Sequence, residues 1–325
     1  SKAQNLNAAL RLVETPHVVL YDADHFPDPD SLLIATSHME EEGCACVQGS
    51  TYLRERPYPL GVYVNAEFFV THFVFFPGLQ WLTGMGLFGG ANALWKTEAL
   101  RAYHFRHDVQ TEDIELSTRM LLGKIRISFC PECRSGELPP ATLLALFRQR
   151  LRWALGWDQV TLLHTPSIKS APLTCGYKLS IFYILPLRWA VLTASTLNAL
   201  VTPALSLWWS SSGGGALGGP IEFCVAITLA AFALVSVVVL LAAIVDLQAS
   251  MWPHVVIFQL SGMLYIGMQV VLVVTSLTKI ALGADGGWVV TKRVKTKVVD
   301  KNGGKTMGRI LSSPLLEPLL TNHAC

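Results

Sequence analysis

The amino-acid sequence reads as an α/β domain with a mostly parallel sheet, followed by an α-helical transmembrane region. Three features lead to that expectation. Short apolar, strand-like runs alternate with helical patterns through the first part of the chain, the pattern of a sheet covered by helices. Charged residues make up 15% of the chain and hydrophobic ones 51%, whereas soluble domains carry about 25% charge. The deficit is also uneven: between Trp189 and Thr278 the only formal charges are Glu222 and Asp246. At 325 residues the chain is long enough for more than one unit. Its apolar content excludes a disordered, collagen-like or small disulfide-framework protein. With 25 basic against 23 acidic residues, a net charge of +2, no nucleic-acid partner is expected.

In chain order, residues 3–13 are helical, with Leu6, Ala9, Leu10 and Val13 at helical spacing. The run His17-Val18-Val19-Leu20-Tyr21 fits a strand buried on both faces and ends in Asp22-Ala23-Asp24-His25. Ser31 is expected to cap a helix reaching Glu42, and a second strand covers Cys46–Leu53. An aromatic-rich stretch over 67–82 leads to the glycine-dense segment 84–90. Thr111-Glu112-Asp113 opens a short helix, 124–129 alternates like a strand, and Pro139-Pro140 precedes a longer helix over 141–164. That helix carries Arg148, Arg150, Arg152, Trp153 and Trp157, a mixture suited either to a membrane interface or to a soluble helix burying its tryptophans. Seven cysteines show two close pairs, Cys44/Cys46 and Cys130/Cys133. Cys130-Pro-Glu-Cys133 lacks a second pair of metal-ligand spacing, so free thiols are expected.

Three uncharged blocks follow, at 189–209, 223–245 and about 254–278, each as long as the roughly 20 residues that cross a bilayer. A lipid bilayer is therefore an expected partner, and the chain reads as an integral, multi-pass membrane protein. Lys279, Lys292, Arg293, Lys295, Lys297 and Lys301 come after the last block, which places that end in the cytoplasm. If the α/β part is cytoplasmic too, three crossings have the wrong parity. Either one block is re-entrant, residues 177–187 add a crossing, or the charge rule fails here.

The residues that would carry chemistry are ambiguous one by one. Asp22 and Asp24 beyond a strand end sit where open α/β sheets bind ligands. They suit Mg²⁺ or Mn²⁺, which bind through one or two carboxylates plus substrate phosphates, and they equally suit an Asp-rich turn. Thr111, Glu112 and Asp113 fit an N-cap with an acidic first turn, or a carboxylate base acting on a hydroxyl. The segment 84–90 brings backbone close to a ligand, or is a flexible loop. Gln149-Arg150-Leu151-Arg152-Trp153 offers guanidinium groups for a diphosphate and an aromatic face for a sugar.

Their joint order is more telling. Lys2-Ala3-Gln4-Asn5-Leu6-Asn7, Asp22-Ala23-Asp24, Phe88-Gly89-Gly90-Ala91-Asn92, Thr111-Glu112-Asp113 and Gln149-Arg150-Leu151-Arg152-Trp153, all ahead of the apolar blocks, resemble the membrane-embedded family 2 glycosyltransferases. This is the superfamily of cellulose, chitin and hyaluronan synthases. Trp288-Val289-Val290-Thr291-Lys292 is similar to a tail motif of many members.

The resemblance implies a GT-A nucleotide-diphospho-sugar transferase domain, represented in part by residues 1–138. Interfacial amphipathic helices over 139–188, about three transmembrane helices over 189–280 and a basic tail over 281–325 would follow. It implies an inverting transfer from a UDP-sugar donor to a growing β-linked polysaccharide, with a cytoplasmic catalytic domain. Asp113 would be the general base, with Thr111 and Glu112 shaping the acceptor site. Asp22 and Asp24 would hold Mg²⁺ or Mn²⁺ on the diphosphate, Lys2 and Asp22 would lie at the nucleotide, and Arg152 would contact the diphosphate. Gln149 and Trp153 would lie near the donor sugar and the acceptor terminus. Single addition to a lipid acceptor and a non-catalytic scaffold are the alternatives. The family's domain begins with further strands, so roughly 80 to 150 residues are expected to precede Ser1. Three apolar blocks would form a channel only with such added helices or in an oligomer.

Overall fold

A computed structural model of the chain describes residues 1–54, 60–213 and 262–283, with scattered helical positions between 222 and 260. Five strands form one sheet: β1 (His17–Leu20), β2 (Phe26–Pro27), β3 (Cys46–Leu53), β4 (Ala93–Lys96) and β5 (Ile127–Glu137), in the order β1-β4-β3-β5-β2. β3 and β5 are parallel, while β4 runs against both β1 and β3 and β2 runs against β5. The sheet is therefore mixed rather than mostly parallel. Strand–helix alternation implies parallel pairing only when each strand re-enters the sheet from the same end. β4 is reached through the helical stretch 60–83 and the glycine loop 84–90, and it enters the sheet from the opposite end to β3.

Both faces are covered. α1 (Lys2–Leu10), α5 (Thr97–Tyr103) and α6 (Glu112–Leu122) bury Leu10, Leu100, Leu116 and Met120 against Cys46, Trp95 and Ile127. On the other face α2 (Ser31–Glu42) buries Ala35 and Met39 against Val47, Leu94 and Cys130. Adjacent strand residues such as Leu94 and Trp95 thus enter opposite cores, as the two-residue strand period requires. α2 begins at Ser31 without a side-chain cap. The Ser31 hydroxyl turns inward to Cys133 Sγ at 3.2 Å, and Gly43 ends the helix in the left-handed conformation.

The register of β3 against β5 slips between Gly49 and Ser50, whose partners are Cys130 and Arg134. Pro131, Glu132 and Cys133 are therefore looped out as a bulge. Asn92 Nδ2 pins the bulge, donating to the carbonyls of Ser50 at 2.8 Å and Cys133 at 2.9 Å. Cys130 and Cys133 are free thiols, and burial pushes Cys130 up to about 12.

The stretch Leu60–Thr83 is helical throughout: α3 (Leu60–Val70), a π-helical turn (Thr71–Phe75) and α4 (Phe76–Thr83). Among the described residues it is the one helix long and apolar enough, by length and composition, to cross a membrane, and nearly half of it is buried in the protein. It carries the buried side chains Glu67 and His72. α7 (Leu143–Ser170) is capped by Thr142, whose hydroxyl accepts from Ala145 N at 3.1 Å. It runs longer than residues 141–164 suggested and buries Leu146, Leu155, Val160 and Ile168.

α8 (Cys175–Phe182) and a second π-helical turn (Tyr183–Leu187) lead to α9 (Arg188–Ser211). α10 (Gly262–Ala281) packs on α7, where Ser276 Oγ donates to Asp158 Oδ2 at 2.5 Å. The first apolar block falls on α9 and the third runs into α10, whose apolar part, Gly267–Ala281, is shorter than a full span. The second block, apart from scattered helical positions, and the basic tail beyond 283 lie outside the described residues.

Candidate active site

Four separate elements deliver charge to one place. α1 contributes Lys2, the end of β1 Asp22, the start of α6 Glu112 and Asp113, and α7 Arg152. Lys2 Nζ lies 2.6 Å from Asp22 Oδ1 and 3.8 Å from Glu112 Oε1, and it donates to the carbonyl of Gly90 at 2.8 Å. Burial opposes the Lys2 charge, but the Asp22 and Glu112 carboxylates outweigh it and hold the ammonium above its usual value. The helical spacing that places Leu6 and Leu10 in the core also points Lys2 at the sheet edge.

Asp113 is the most perturbed group of this cluster. Burial raises its carboxyl to about 6, aided by the Glu112 charge and opposed by the Ile114 N–H, Lys2 and Arg152. Its Oδ1 accepts from Ile114 N at 2.9 Å. Gly90 makes room for the other oxygen: with φ +94, a Cβ there would lie 2.7 Å from Asp113 Oδ2. The glycine segment is thus a tight wall behind the carboxylate, with Phe88 N donating to Ser117 Oγ at 2.9 Å and Gly89 N to Gln48 Oε1 at 2.8 Å.

Thr111 stands at the N-cap position of α6 yet makes no capping bond, so the capping role open to it in the sequence is not realised. Its Oγ1 is buried with no hydrogen-bond partner among the described residues. α7 passes directly over it, and a Cβ on Gly156 would lie 2.3 Å from Thr111 Cγ2. Arg152 Nη1 donates to the Gln110 carbonyl at 3.1 Å, so the guanidinium flanks the same turn.

Not every residue of the α7 motif joins this cluster. Arg150, one of the two arginines available for a diphosphate by sequence, is paired internally. Its Nε and Nη2 donate to Glu67 Oε1 and Oε2 at 3.0 and 2.5 Å. Gln149 Oε1 accepts from Arg150 Nη1 at 2.7 Å, and Trp153 lies under the same guanidinium, 4.1 Å from its ring centroid. Gln149 and Trp153 therefore belong to a second group beside the Lys2–Asp113 cluster. Asp24 contributes its carbonyl oxygen to Arg54 Nη2 at 2.8 Å.

Three polar groups had gone unnoticed in the sequence. His25, next to Asp24, bridges Ser135 Oγ at 3.0 Å and Glu137 Oε2 at 3.1 Å, which ties the turn after β1 to β5. Glu115 is fully buried and joins Arg119 to His164 Nε2 at 3.0 Å, locking α6 to α7. Glu67 is the one acidic residue in the stretch 60–83, and that is the signal that would have exposed its role.

Asp22 and Asp24 fit a hard divalent cation by donor type, as carboxylates that substrate phosphates could complete into a Mg²⁺ or Mn²⁺ site, although Asp22 Oδ1 is paired with Lys2 Nζ at 2.6 Å. Among the described residues no group of three or more His, Cys, Asp and Glu side chains stands together as a metal cage.

An α/β domain with a buried, perturbed carboxylate and cationic groups converging beyond its strand ends is the class these features define. The family described as glycosyl transferase family group 2 matches residues 17–274. The chain belongs to that family of glycosyltransferases, and its sheet is the mixed sheet of a GT-A-like fold. It is 28% identical to the poly-β-1,6-N-acetyl-D-glucosamine synthase of Staphylococcus epidermidis over 62% of this chain and 50% of the relative. It is likewise 28% identical to the synthase of that name from Staphylococcus aureus over 50% of this chain and 40% of the relative. The chain thus spans about half the length of the curated relatives it matches. Among solved structures, a mannosyltransferase from Pyrobaculum calidifontis, in complex with GDP-Man and Mn²⁺, matches 87% of this chain and 67% of its own, with 20% identity and a TM-score of 0.48.

Proposed function

We propose that this protein transfers a sugar from a UDP-sugar onto a growing β-linked polysaccharide at a membrane, with inversion at the anomeric carbon. The observation that carries this reading is Asp113: a buried carboxyl raised to about 6 by its burial, walled by Gly90 and flanked by Lys2, Glu112 and Arg152. A general base works best when its pKa lies close to the operating pH. Asp113 takes the proton from the acceptor hydroxyl as that oxygen attacks the anomeric carbon. The bond to the diphosphate breaks on the opposite face, so an α-linked donor gives a β-linkage.

Lys2 and Arg152 offer cationic donors to the nucleotide diphosphate, and Asp22 and Asp24 would hold Mg²⁺ or Mn²⁺ against it. When bound, such an ion neutralises charge on the leaving diphosphate. Thr111 and Glu112 shape the acceptor side, and Gln149 and Trp153 face the sugars. The apolar blocks from residue 189 onward and the basic residues after them support a multi-pass membrane location with the catalytic part in the cytoplasm.

The named activity of the curated relatives makes UDP-N-acetylglucosamine the first donor to try. The test supplies the full protein in membranes with radiolabelled UDP-N-acetylglucosamine, UDP-glucose or UDP-glucuronic acid and Mg²⁺ or Mn²⁺, then sizes the product. A long, alkali-stable polymer is expected. A short glycolipid would replace polymerisation with single addition to a lipid acceptor, and absence of transfer from every donor would remove the catalytic reading.

A further inference from the structure

The two arginines of Gln149-Arg150-Leu151-Arg152-Trp153 have different neighbours. Arg152 flanks the Asp113 turn, whereas Arg150 has only 4% of its side chain exposed and spends its donors inside the protein. Nε and Nη2 form a two-pronged pair with Glu67, and Nη1 reaches Gln149 Oε1. The planar face of the guanidinium then lies 4.1 Å from the centroid of Trp153 and 5.9 Å from that of Phe68. Glu67 comes from α3, on a helix that packs against β3, so the ring of Trp153 is referenced to the sheet and not merely to its own helix. A fork held at both prongs has little rotational freedom left, and an aromatic face under it is held by cation–π attraction in a desolvated place.

The geometry points to Glu67 and Arg150 as positioning residues that fix the Trp153 indole and the Gln149 amide on the sugar side of the site, with Arg150 taking no part in diphosphate binding. This rests on the reading of Trp153 as a sugar-facing group given above. It divides the motif by function: Arg152 serves the leaving group, and Arg150 serves acceptor alignment. Glu67, eighty-three residues upstream of Arg150, becomes part of the acceptor apparatus without touching substrate.

The experiment compares the full protein with the double variant Glu67→Met/Arg150→Met, which replaces a buried ion pair by apolar side chains instead of stranding one charge. Arg150→Lys keeps the charge but not the fork, and it takes over if the double variant fails to fold by circular dichroism. Three quantities are read: oxidation of Trp153 by hydroxyl radicals, resolved peptide by peptide by mass spectrometry; UDP affinity by calorimetry; and acceptor KM beside donor KM. In the double variant, oxidation of Trp153, which is already partly exposed, should rise about twofold, and acceptor KM should rise about tenfold, the scale of a lost desolvated cation–π contact. UDP affinity and donor KM should stay within about twofold, and Arg150→Lys should fall between. Unchanged Trp153 oxidation in a folded variant overturns the proposal, as does a parallel loss of UDP affinity, which would make Arg150 a phosphate ligand. The oxidation readout needs no turnover. A wild-type protein that fails to transfer sugar would therefore refute the proposed activity while still deciding whether Arg150 holds Trp153.

Discussion

Asp113 pays for its burial with a carboxyl held at about 6, and the sign of that shift sets a pH dependence. The base must be ionised to accept a proton, so kcat should rise as pH climbs through about 6 and level off above it. A profile for the full protein that stays flat from about pH 5 to 8 would contradict this. Gly90 is the other residue on which this geometry turns. With φ +94 and a Cβ destined to fall 2.7 Å from Asp113 Oδ2, Gly90→Ala should reduce kcat at least tenfold and cost about 1–3 kcal/mol of stability. Stability by thermal unfolding and kcat by donor turnover measure the two parts. Lys2, Asp22, Asp113 and Arg152 were legible in the sequence because ordered motifs mark them, and they do converge. The separate fates of Arg150 and Arg152 were not. Two arginines two apart look alike on paper, and only the fold shows which one meets Glu67.

The elements that place these residues depend on how α6 and α7 lock together. Glu115 sits fully buried between Arg119 and His164. Burial alone would raise its carboxyl, but the hydrogen bonds from His164 and Arg119 outweigh it and hold it below the ordinary value. A carboxyl depressed by folding contributes stability above its unfolded pKa, and that contribution is lost as pH falls through the folded value. Acid unfolding of the wild type should therefore steepen below the ordinary carboxylate range of about 4. Glu115→Gln should cost about 3 kcal/mol at neutral pH and flatten that acid limb. A variant as stable as the wild type in chemical denaturation would show that the network does not hold the two helices.

Element boundaries were legible where periodicity or a run was clear, as at β3 and α2. β4 and α5 went unseen because four- and seven-residue elements carry too little pattern. The helix Leu60–Thr83 escaped because a segment apolar all round has no amphipathic signal. The mixed sheet followed from the direction in which β4 enters, which local sequence does not encode.

For the molecule as a whole, the α/β part and the apolar part share contacts: α10 lies on α7, joined by Ser276 to the buried Asp158. The helix that bears Arg152 is thus braced by a helix from the apolar region. If that region is embedded in lipid, the full protein should remain in the membrane pellet after alkaline carbonate extraction. Its release into the supernatant would remove the multi-pass reading. The groups of the site come from the charged first part of the chain, and the last apolar block supplies α10. What composition did not convey was that an apolar helix also runs inside the α/β domain, at Leu60–Thr83, carrying buried Glu67 and His72.

Asp113 is proposed as the base of a sugar transfer whose donor is held by other residues. The most direct measurement pairs transfer from UDP-N-acetylglucosamine with UDP affinity in the full protein carrying Asp113→Asn. The substitution keeps the shape of the side chain and removes its proton affinity. Transfer should fall by about 10²-fold or more, the scale of general-base catalysis, while UDP affinity stays within about threefold. Transfer near the wild-type rate, or UDP binding lost together with it, would show that Asp113 is not that base.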